Sequence, residues 1–253
     1  MKGGVGKTTV TLGLASAAWN RGLKVLIIDL DPQANSTMGL GVVNPPFTTN
    51  DVLADARPGI AVDAILPTPW GPNVHVIAAE RSLEHRNNRE GAYSELRMKS
   101  ALANVPRSYD IVLIDCPPSL GELTRNALSA SDAALVVTEP GYFALHGAQQ
   151  AVEAVEVIRG STNPTLRTST ILVNRMRITV AEHRARIQEL RETFGALVSP
   201  VMVPERNAIP QSEGAGAPIH AWDSPAGREL SGIFDQLLEN LLFPFGRAVR
   251  EYP

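Results

Sequence analysis

The sequence is poor in cysteine, in aromatic side chains and in long apolar runs. A single cysteine, Cys116, excludes an internal disulfide and any metal site that needs several cysteines of one chain. One unpaired cysteine is also typical of a protein of the reducing cytosol. No apolar run reaches the roughly 18 residues that a membrane-spanning helix needs, so none is predicted.

Excess charge of either sign is also missing. The chain has 253 residues, with 23 basic and 26 acidic side chains and a formal net charge of −3. The whole molecule is therefore no polycation, and any contact with nucleic acid would need a local basic patch. With 44% hydrophobic residues the composition is that of a globular protein, and it predicts one α/β domain over residues 1–253.

Short apolar runs alternate with helical patterns along the chain. The predicted strands are 24–29, 73–78, 110–115, 133–138, 169–174 and 200–203. The predicted helices are 8–21, 121–130, 145–159, 180–194 and 226–242. Most of the strand runs are apolar throughout, which is typical of parallel strands covered on both faces. The alternation predicts a doubly wound, mostly parallel sheet flanked by helices.

The stretch MKGGVGKTT has the glycines, lysine and hydroxyl groups of a phosphate-binding loop. The glycines let backbone N–H groups approach phosphate oxygens, and a helix that begins here adds its positive end. Lys7 is expected to reach the β- and γ-phosphates, and Thr8 to bind Mg²⁺. The strict pattern G-x-x-x-x-G-K-[ST] would need a glycine in place of Met1. The predicted nucleotide contacts of the loop are Gly3, Gly4, Val5, Gly6, Lys7, Thr8 and Thr9.

No residues stand ahead of this loop to form the strand from which a phosphate-binding loop normally leads. In a doubly wound sheet that strand is central, so a chain without it is expected to have a gap in its core. The expectation that follows is that Met1 is an internal methionine or that the chain is truncated.

Carboxylates follow two of the predicted strands. Asp29 and Asp31 lie in VLIIDLDPQAN, and Asp115 ends the run DIVLID. The carboxyl ends of strands face the ligand crevice of an open α/β sheet. Asp115 is predicted to hold Mg²⁺ through water, and Asp29 to have a Mg²⁺-side or structural role. The alternative for any one of them is a strand end capped by a solvated aspartate.

Three motifs in this order resemble the deviant Walker A ATPases of the ParA/MinD family, namely KGGVGKTT, DLDPQ and IDCPPSLG. The likeness continues through LTRNAL and EPGYFALHG and fades after about residue 242. It implies a P-loop NTPase fold, Mg²⁺-dependent conversion of ATP to ADP, and a homodimer with ATP. In that family the early lysine, here Lys2, touches the partner's ATP phosphates, and the second aspartate, here Asp31, positions the attacking water. The predicted catalytic residues are Lys2, Lys7 and Asp31; the alternative for Lys2 is a surface lysine near a polyanion.

The adenine pocket is predicted at the ends of LVN and VMVP. A side-chain amide can pair with both donor and acceptor groups of adenine, and the resemblance implicates Asn174 and the loop around Pro204. The chain departs from many chromosomal ParA sequences by having Glu205 and Ala208 where those have DNA-contacting arginines. Arg206 is the substitute expected here, for the nucleotide or for DNA.

A second basic segment runs from residue 167 to residue 191, with six arginines and two glutamates. The predicted DNA contacts are Arg177, Arg184, Arg191 and Arg206. Such contacts to phosphate would give salt-sensitive, sequence-independent binding of duplex DNA. Aromatic residues are not interleaved, which argues against single-strand binding. The alternative is a solvated helix face with local pairs such as Glu182–Arg186.

The resemblance implies a slow ATPase that dimerises on ATP, binds DNA and is stimulated by a ParB-like protein. Its implied location is the cytoplasm, on the nucleoid. The main alternative is a MinD-like membrane-cycling ATPase, but the tail FPFGRAVREYP is interrupted by Pro244 and Gly246 and carries few basic residues. No stable membrane insertion is therefore expected. A nucleotide-binding protein without hydrolysis is a further alternative if the first strand is truly missing.

Overall fold

The computed structural model describes residues 4–242 apart from 89, 90, 104, 106 and 108. The described helices are α1 (Lys7–Asn20), α2 (Asn35–Gly39), α3 (Thr49–Asp55), α4 (Arg97–Ala101), α5 (Glu122–Ala130), α6 (Ala144–Arg159), α7 (Ala181–Phe194), α8 (Ala208–Gly214) and α9 (Pro225–Leu242). The strands are β1 (Val25–Asp29), β2 (Ile65–Thr68), β3 (Gly71–Ile77), β4 (Ile111–Asp115), β5 (Ala133–Thr138) and β6 (Arg167–Val173). None of the helices in this part of the chain is long and apolar enough to cross a membrane.

The strands form two groups. The first is ordered β2-β3-β1-β4, and the second pairs β5 with β6. Strand β1 is parallel to both of its neighbours, and β5 is parallel to β6, whereas β2 is an antiparallel edge strand. The predicted architecture, a mostly parallel sheet flanked by helices, is confirmed.

Helices cover both faces of β1, which explains why its sequence is apolar at every position. Val25 and Ile27 pack into a core shared with α1 and α9. Leu26 and Ile28 point the other way, into a core shared with α3, α4 and α5. Strand β1 is fully buried along its length, and Asp29 at its end is therefore placed inside the molecule.

The segment 200–203 does not form the strand that its apolar residues predicted. It lies between two isolated bridges, Ile171 to Val198 and Met176 to Pro204, and the Val203 N–H donates to the Val173 carbonyl oxygen at 3.0 Å. Pro200 and Pro204 carry no N–H group, so a regular ladder of hydrogen bonds cannot run through both ends of this segment. The other five predicted strands and all five predicted helices are present, with ends shifted by up to two residues.

A cavity separates the two groups of strands. A cavity of about 520 Å³ lies between β4 and β5, the two strands that border the division of the sheet. Its walls include most of both strands, together with Val10, Thr11 and Leu14 of α1.

The predictions for Met1, Lys2, Gly3 and the tail 243–253 lie outside the described residues.

Candidate nucleotide-binding site

The phosphate-binding loop leads directly into α1, as the sequence predicted. Gly4 and Gly6 have φ angles of 88° and 89°, in the left-handed region that favours glycine. A Cβ atom at position 6 would lie 2.1 Å from Asn174 Nδ2. Glycine at this position therefore allows both the turn of the loop and the close approach of the asparagine. Helix α1 then begins at Lys7, which places its N-terminal N–H groups at the loop.

Asp115 joins the end of β4 to the phosphate-binding loop. Its Oδ2 atom accepts hydrogen bonds from Thr8 Oγ1 and from Ser36 Oγ, both at 2.7 Å. Its Oδ1 atom is buried and has no hydrogen-bond partner among the described residues. A buried carboxylate oxygen without a partner calls for an explanation, and a Mg²⁺-bound water is one that fits. The predicted metal residues Thr8 and Asp115 are thus brought together.

Buried negative charge surrounds this point. Burial, followed by the charge of Asp115, raises the pKa of Asp29 to about 7. Burial also raises the pKa of Asp115, while its hydrogen bonds from Thr8 and Ser36 and the charge of Lys7 lower it. Carboxylates in such surroundings favour a nearby cation, because the cation offsets their loss of hydration.

The two aspartates of the second motif have different surroundings. Both carboxylate oxygens of Asp29 are used inside the protein: Oδ2 accepts from the Thr37 N–H at 2.9 Å and from Thr37 Oγ1 at 2.8 Å, and Oδ1 accepts from the Asp31 N–H at 3.1 Å. The sequence allowed either a Mg²⁺-side role or a structural role for Asp29. These contacts favour the structural role. Asp31 Oδ1 accepts one hydrogen bond, from the Gln33 N–H at 2.9 Å, and the charge of Asp31 contributes to the raised pKa of Asp115.

Cys116 follows Asp115 and is not suited to act as a nucleophile. Burial, followed by the negative charge of Asp115, raises the pKa of the Cys116 thiol to about 12. The thiol is therefore protonated at neutral pH, and the thiolate is the reactive form.

One of the predicted adenine residues, Asn174, also reaches the loop. Asn174 Nδ2 donates to the Val5 carbonyl oxygen at 2.9 Å, and Asn174 Oδ1 is buried without a partner among the described residues. The bridge between Met176 and Pro204 brings the second predicted loop beside the first. An unpaired amide oxygen next to a phosphate-binding loop fits an adenine amino group, which is a donor.

The predicted DNA arginines are divided by their contacts. Arg206 is paired with Glu229 of α9, to which its guanidinium group donates two hydrogen bonds of 2.8 and 2.9 Å. Arg177 forms an ion pair with Glu205. Arg184 is exposed and donates to the Ile178 carbonyl oxygen at 2.7 Å, and Arg191 is exposed in the last turn of α7.

The alternative interpretation of α7 was a solvated face with local ion pairs. Such pairs are also present. Arg186 contacts Glu189 through two hydrogen bonds of 2.9 Å and lies 3.8 Å from Glu182. Its guanidinium group also lies 5.3 Å from the centre of the Tyr142 ring. Arg186 is therefore engaged within the protein, whereas Arg184 and Arg191 keep their charge toward solvent.

Sequence reasoning missed three side chains at this site, Ser36, Thr37 and Glu213. Ser36 and Thr37 hold Asp115 and Asp29, and both follow the DPQAN stretch immediately. Two hydroxyl groups directly after an acidic motif were a usable signal. Glu213 accepts a hydrogen bond from Thr9 Oγ1 at 2.9 Å across 204 positions of sequence, a contact that no local pattern could indicate.

No group of three or more His, Cys, Asp or Glu side chains within the described ranges is arranged to hold a metal ion by itself. Mg²⁺ in nucleotide sites usually keeps several waters and uses few protein ligands together with substrate phosphates. Among the described residues, Thr8 and Asp115 are the two that fit the role of protein partners of a hydrated Mg²⁺.

Known proteins are similar to this chain in sequence and in fold. A family model described as an AAA domain matches residues 1–168. The chain is 37% identical to the chromosome partitioning protein ParA of Caulobacter vibrioides over 232 residues, covering 88% of this chain and 84% of that protein. It is 33% identical to the sporulation initiation inhibitor protein Soj of Bacillus subtilis, covering 88% of both.

A similar solved structure contains a bound nucleotide. Cobyrinic acid a,c-diamide synthase from Mycobacterium smegmatis, with bound ADP and magnesium, superposes with a TM-score of 0.78 at 26% identity, covering 97% of this chain and 93% of that one. The phosphate-binding loop, the paired Thr8 and Asp115, and the extent of these matches lead to one conclusion. The chain belongs to the ParA family within the ParA/MinD group of P-loop ATPases.

Proposed function

We propose that this chain hydrolyses ATP slowly and uses the nucleotide state to position DNA or another cargo. The observation that carries the proposal is the Asp115 carboxylate, held by Thr8 and Ser36 with its other oxygen unpartnered beside the phosphate-binding loop. This is the arrangement expected where β- and γ-phosphates and a metal ion meet the end of a strand. Homology to chromosome partitioning proteins supports the cargo class.

The described residues divide the chemistry among themselves. The loop N–H groups and Lys7 bind the phosphates, and Asn174 with Pro204 receives the base. Mg²⁺, when bound through Thr8 and Asp115, neutralises charge on the phosphates. Asp31 orients the attacking water through its carboxylate, which takes no part in the hydrogen bonds that hold the Asp29 carboxylate. Orientation without a strong general base is consistent with slow hydrolysis.

Dimerisation by ATP is proposed through Lys2, which lies outside the described residues. A cation delivered by the partner would stabilise charge on the transferred phosphoryl group. Substitution of Lys2 by alanine should abolish ATP-dependent dimers in light scattering and lower turnover. Persistence of both the dimers and the turnover would contradict the role of Lys2.

DNA binding is proposed to be non-specific and to use the exposed arginines of α7, with a ParB-like protein stimulating hydrolysis and release. Glu205 argues against Arg177 as a DNA contact, because its ion pair with Arg177 neutralises one of the four predicted contacts. Arg206 is engaged in the same way by Glu229. Arg184 and Arg191 are therefore the contacts that the geometry favours most.

The experiment that tests the function is a gel shift with random duplex DNA at one fixed salt concentration. The unsubstituted chain is compared with ATP, with ADP and without nucleotide, and Lys7→Ala serves as the control that should not respond to ATP. A shift with ATP alone is the expected result. If no nucleotide state gave a shift and the chain bound anionic vesicles only with ATP, its binding partner would be a membrane surface and not DNA.

A further inference from the structure

The loop that leads from Asp115 to α5 is fixed by side chains from other elements. This CPPSLG loop, residues 116–121, contains Pro117 and Pro118, which have no N–H group. Its backbone therefore has few hydrogen-bond donors with which to fix its own shape. Contacts from outside the loop then matter more for its conformation, and Asp115 stands directly before it.

Asn87 makes such a contact. It is the last residue of a 3₁₀ helix (Arg81–Asn87) that follows β3, and its Nδ2 atom donates to Ser119 Oγ at 3.1 Å. Ser119 Oγ in turn donates to Asn87 Oδ1 at 3.5 Å. From α5, Thr124 Oγ1 donates to the Ser119 carbonyl oxygen at 2.6 Å. Ser119 is thus held between two elements.

Gly121 leaves the space that Asn87 occupies. Its φ of −79° is open to any residue, so the backbone does not require glycine here. A Cβ atom at position 121 would lie 2.1 Å from Asn87 Oδ1 and 2.8 Å from Asn87 Cγ. Glycine at this position therefore lets the asparagine approach. This close approach is independent of the hydrogen bond and also places Asn87 against the CPPSLG loop.

The segment that carries Asn87 is itself anchored. Arg86 Nε donates to Asn50 Oδ1 of α3 at 3.0 Å. Further along the chain, Asn126 Nδ2 of α5 donates to the Ser94 carbonyl oxygen at 3.0 Å. A side chain presented from an anchored segment can hold a loop in one place, whereas a side chain on a loose segment would move with the loop.

We propose that Asn87 is a positioning residue for hydrolysis, which acts through Ser119 by fixing the CPPSLG loop next to Asp115. Loops that respond to the γ-phosphate and its metal ion exchange between ordered and less ordered states. A loop that is already ordered raises the rate, because less has to be arranged when the transition state forms. The proposal rests on the proposed ATP hydrolysis and adds to it a residue from outside the nucleotide-binding motifs.

The test measures ATP turnover by phosphate release and the Kd of ATP by calorimetry, both with Mg²⁺. Asn87→Ala should lower kcat about tenfold, the effect of one hydrogen bond lost from the reactive arrangement, and change the Kd by less than about threefold. Asn87→Asp, whose carboxylate still accepts from the Ser119 hydroxyl group, should keep part of the rate. Gly121→Ala should resemble Asn87→Ala, because the added methyl group displaces the amide.

A double-mutant cycle separates positioning from general destabilisation. If Asn87 acts through Ser119, Asn87→Ala should have little further effect on kcat in a chain that already carries Ser119→Ala. Asn73→Ala is the matched control, since its side-chain amide also donates a hydrogen bond of 3.1 Å, to the Gly22 carbonyl oxygen, but near the start of β3. It should leave kcat and Kd unchanged. Additive effects of Asn87→Ala and Ser119→Ala, or an equal loss of kcat in Asn73→Ala, would overturn the assignment.

Hydrogen exchange measures whether the loop itself is loosened. Without nucleotide, Asn87→Ala should speed exchange of the amides of residues 119–121 roughly tenfold and leave those of β1 unchanged. Unchanged exchange of the loop would overturn the proposal. If the unsubstituted chain bound ATP without hydrolysing it, the proposed ATPase function itself would be wrong. If it hydrolysed ATP and Asn87→Ala did so at the same rate, only the role of Asn87 would be wrong.

Discussion

Asp29 is a residue whose ionisation opposes folding. Its pKa is about 7 in the folded chain against 3.8 for an unperturbed aspartate. The folded state therefore holds a proton that the unfolded state releases between these values. The corresponding stability is fully present below about pH 4 and is lost as the pH rises toward 7. Asp115 and Glu213, whose pKa values are also raised, act in the same direction.

The first prediction concerns this pH dependence. Between pH 5 and pH 7 the free energy of unfolding should fall, with Asp29 contributing up to about 1.4 kcal/mol per pH unit. Urea unfolding of Asp29→Asn should give a shallower slope, because the substituted side chain does not titrate. Asp223→Asn, at a side chain that is 92% exposed, should keep the original slope. Equal slopes for the chain and for Asp29→Asn would contradict the buried-carboxylate argument.

Asp31 is predicted to act on hydrolysis rather than on binding. Asp31→Ala should lower ATP turnover roughly 100-fold, the effect of losing one preorganised polar group at the reacting centre. The Kd of ATP should change by less than about threefold, because the phosphate-binding loop and Asn174 are untouched. Turnover is measured by phosphate release and affinity by calorimetry. Turnover close to that of the unsubstituted chain would remove Asp31 from the proposed chemistry.

At the scale of elements, the apolar runs predicted most strands because both faces of the sheet are covered. Strand β2 was missed, since it has four residues, contains Pro67 and lies at an antiparallel edge. The short helices α2, α3, α4 and α8 were missed as well, since five to seven residues are too few for a periodic pattern. Much of the site could be predicted from strand ends and glycines, but Glu213 could not, because α8 itself was not.

Helix α7 carries the prediction for DNA. Reversing Arg184 and Arg191 together to glutamate should weaken ATP-dependent DNA binding at least roughly tenfold and reduce the log–log salt slope by about 2. Fluorescence anisotropy with a labelled random duplex, read at several salt concentrations, measures both quantities. The matched control reverses Arg57 and Arg159, two exposed arginines on other elements. If the two double variants lost the same affinity, net charge rather than α7 would explain the binding.

At the scale of the whole molecule, the sheet consists of two parts that meet at the nucleotide site. Asp115, at the end of β4, contacts Thr8, and Asn174, just beyond β6, contacts Val5. The carboxyl ends of both parts therefore lie at the same loop. Between the parts lies the cavity of about 520 Å³, with apolar side chains of β4, β5 and α1 in its walls.

The geometry of the gap predicts what would fill it. The chain reaches the cavity at the phosphate-binding loop, and a strand that ran into this loop would be parallel to β4 and β5. An engineered extension of six β-branched apolar residues ahead of the loop should therefore pair with both open edges and fill the cavity. Burying three such side chains stabilises by about 1.5–3 kcal/mol each, which corresponds to a rise of roughly 10–35 °C in the unfolding midpoint.

Calorimetry of the extended chain measures this midpoint, and an extension of equal length made of glycine and serine is the control. The control residues pack poorly and lose more conformational entropy, so that extension should leave the midpoint within a few degrees. ATP affinity should rise with the apolar extension only, because a strand fixed between β4 and β5 also fixes the loop that follows it. Equal midpoints for the two extensions would show that the cavity does not accept a strand.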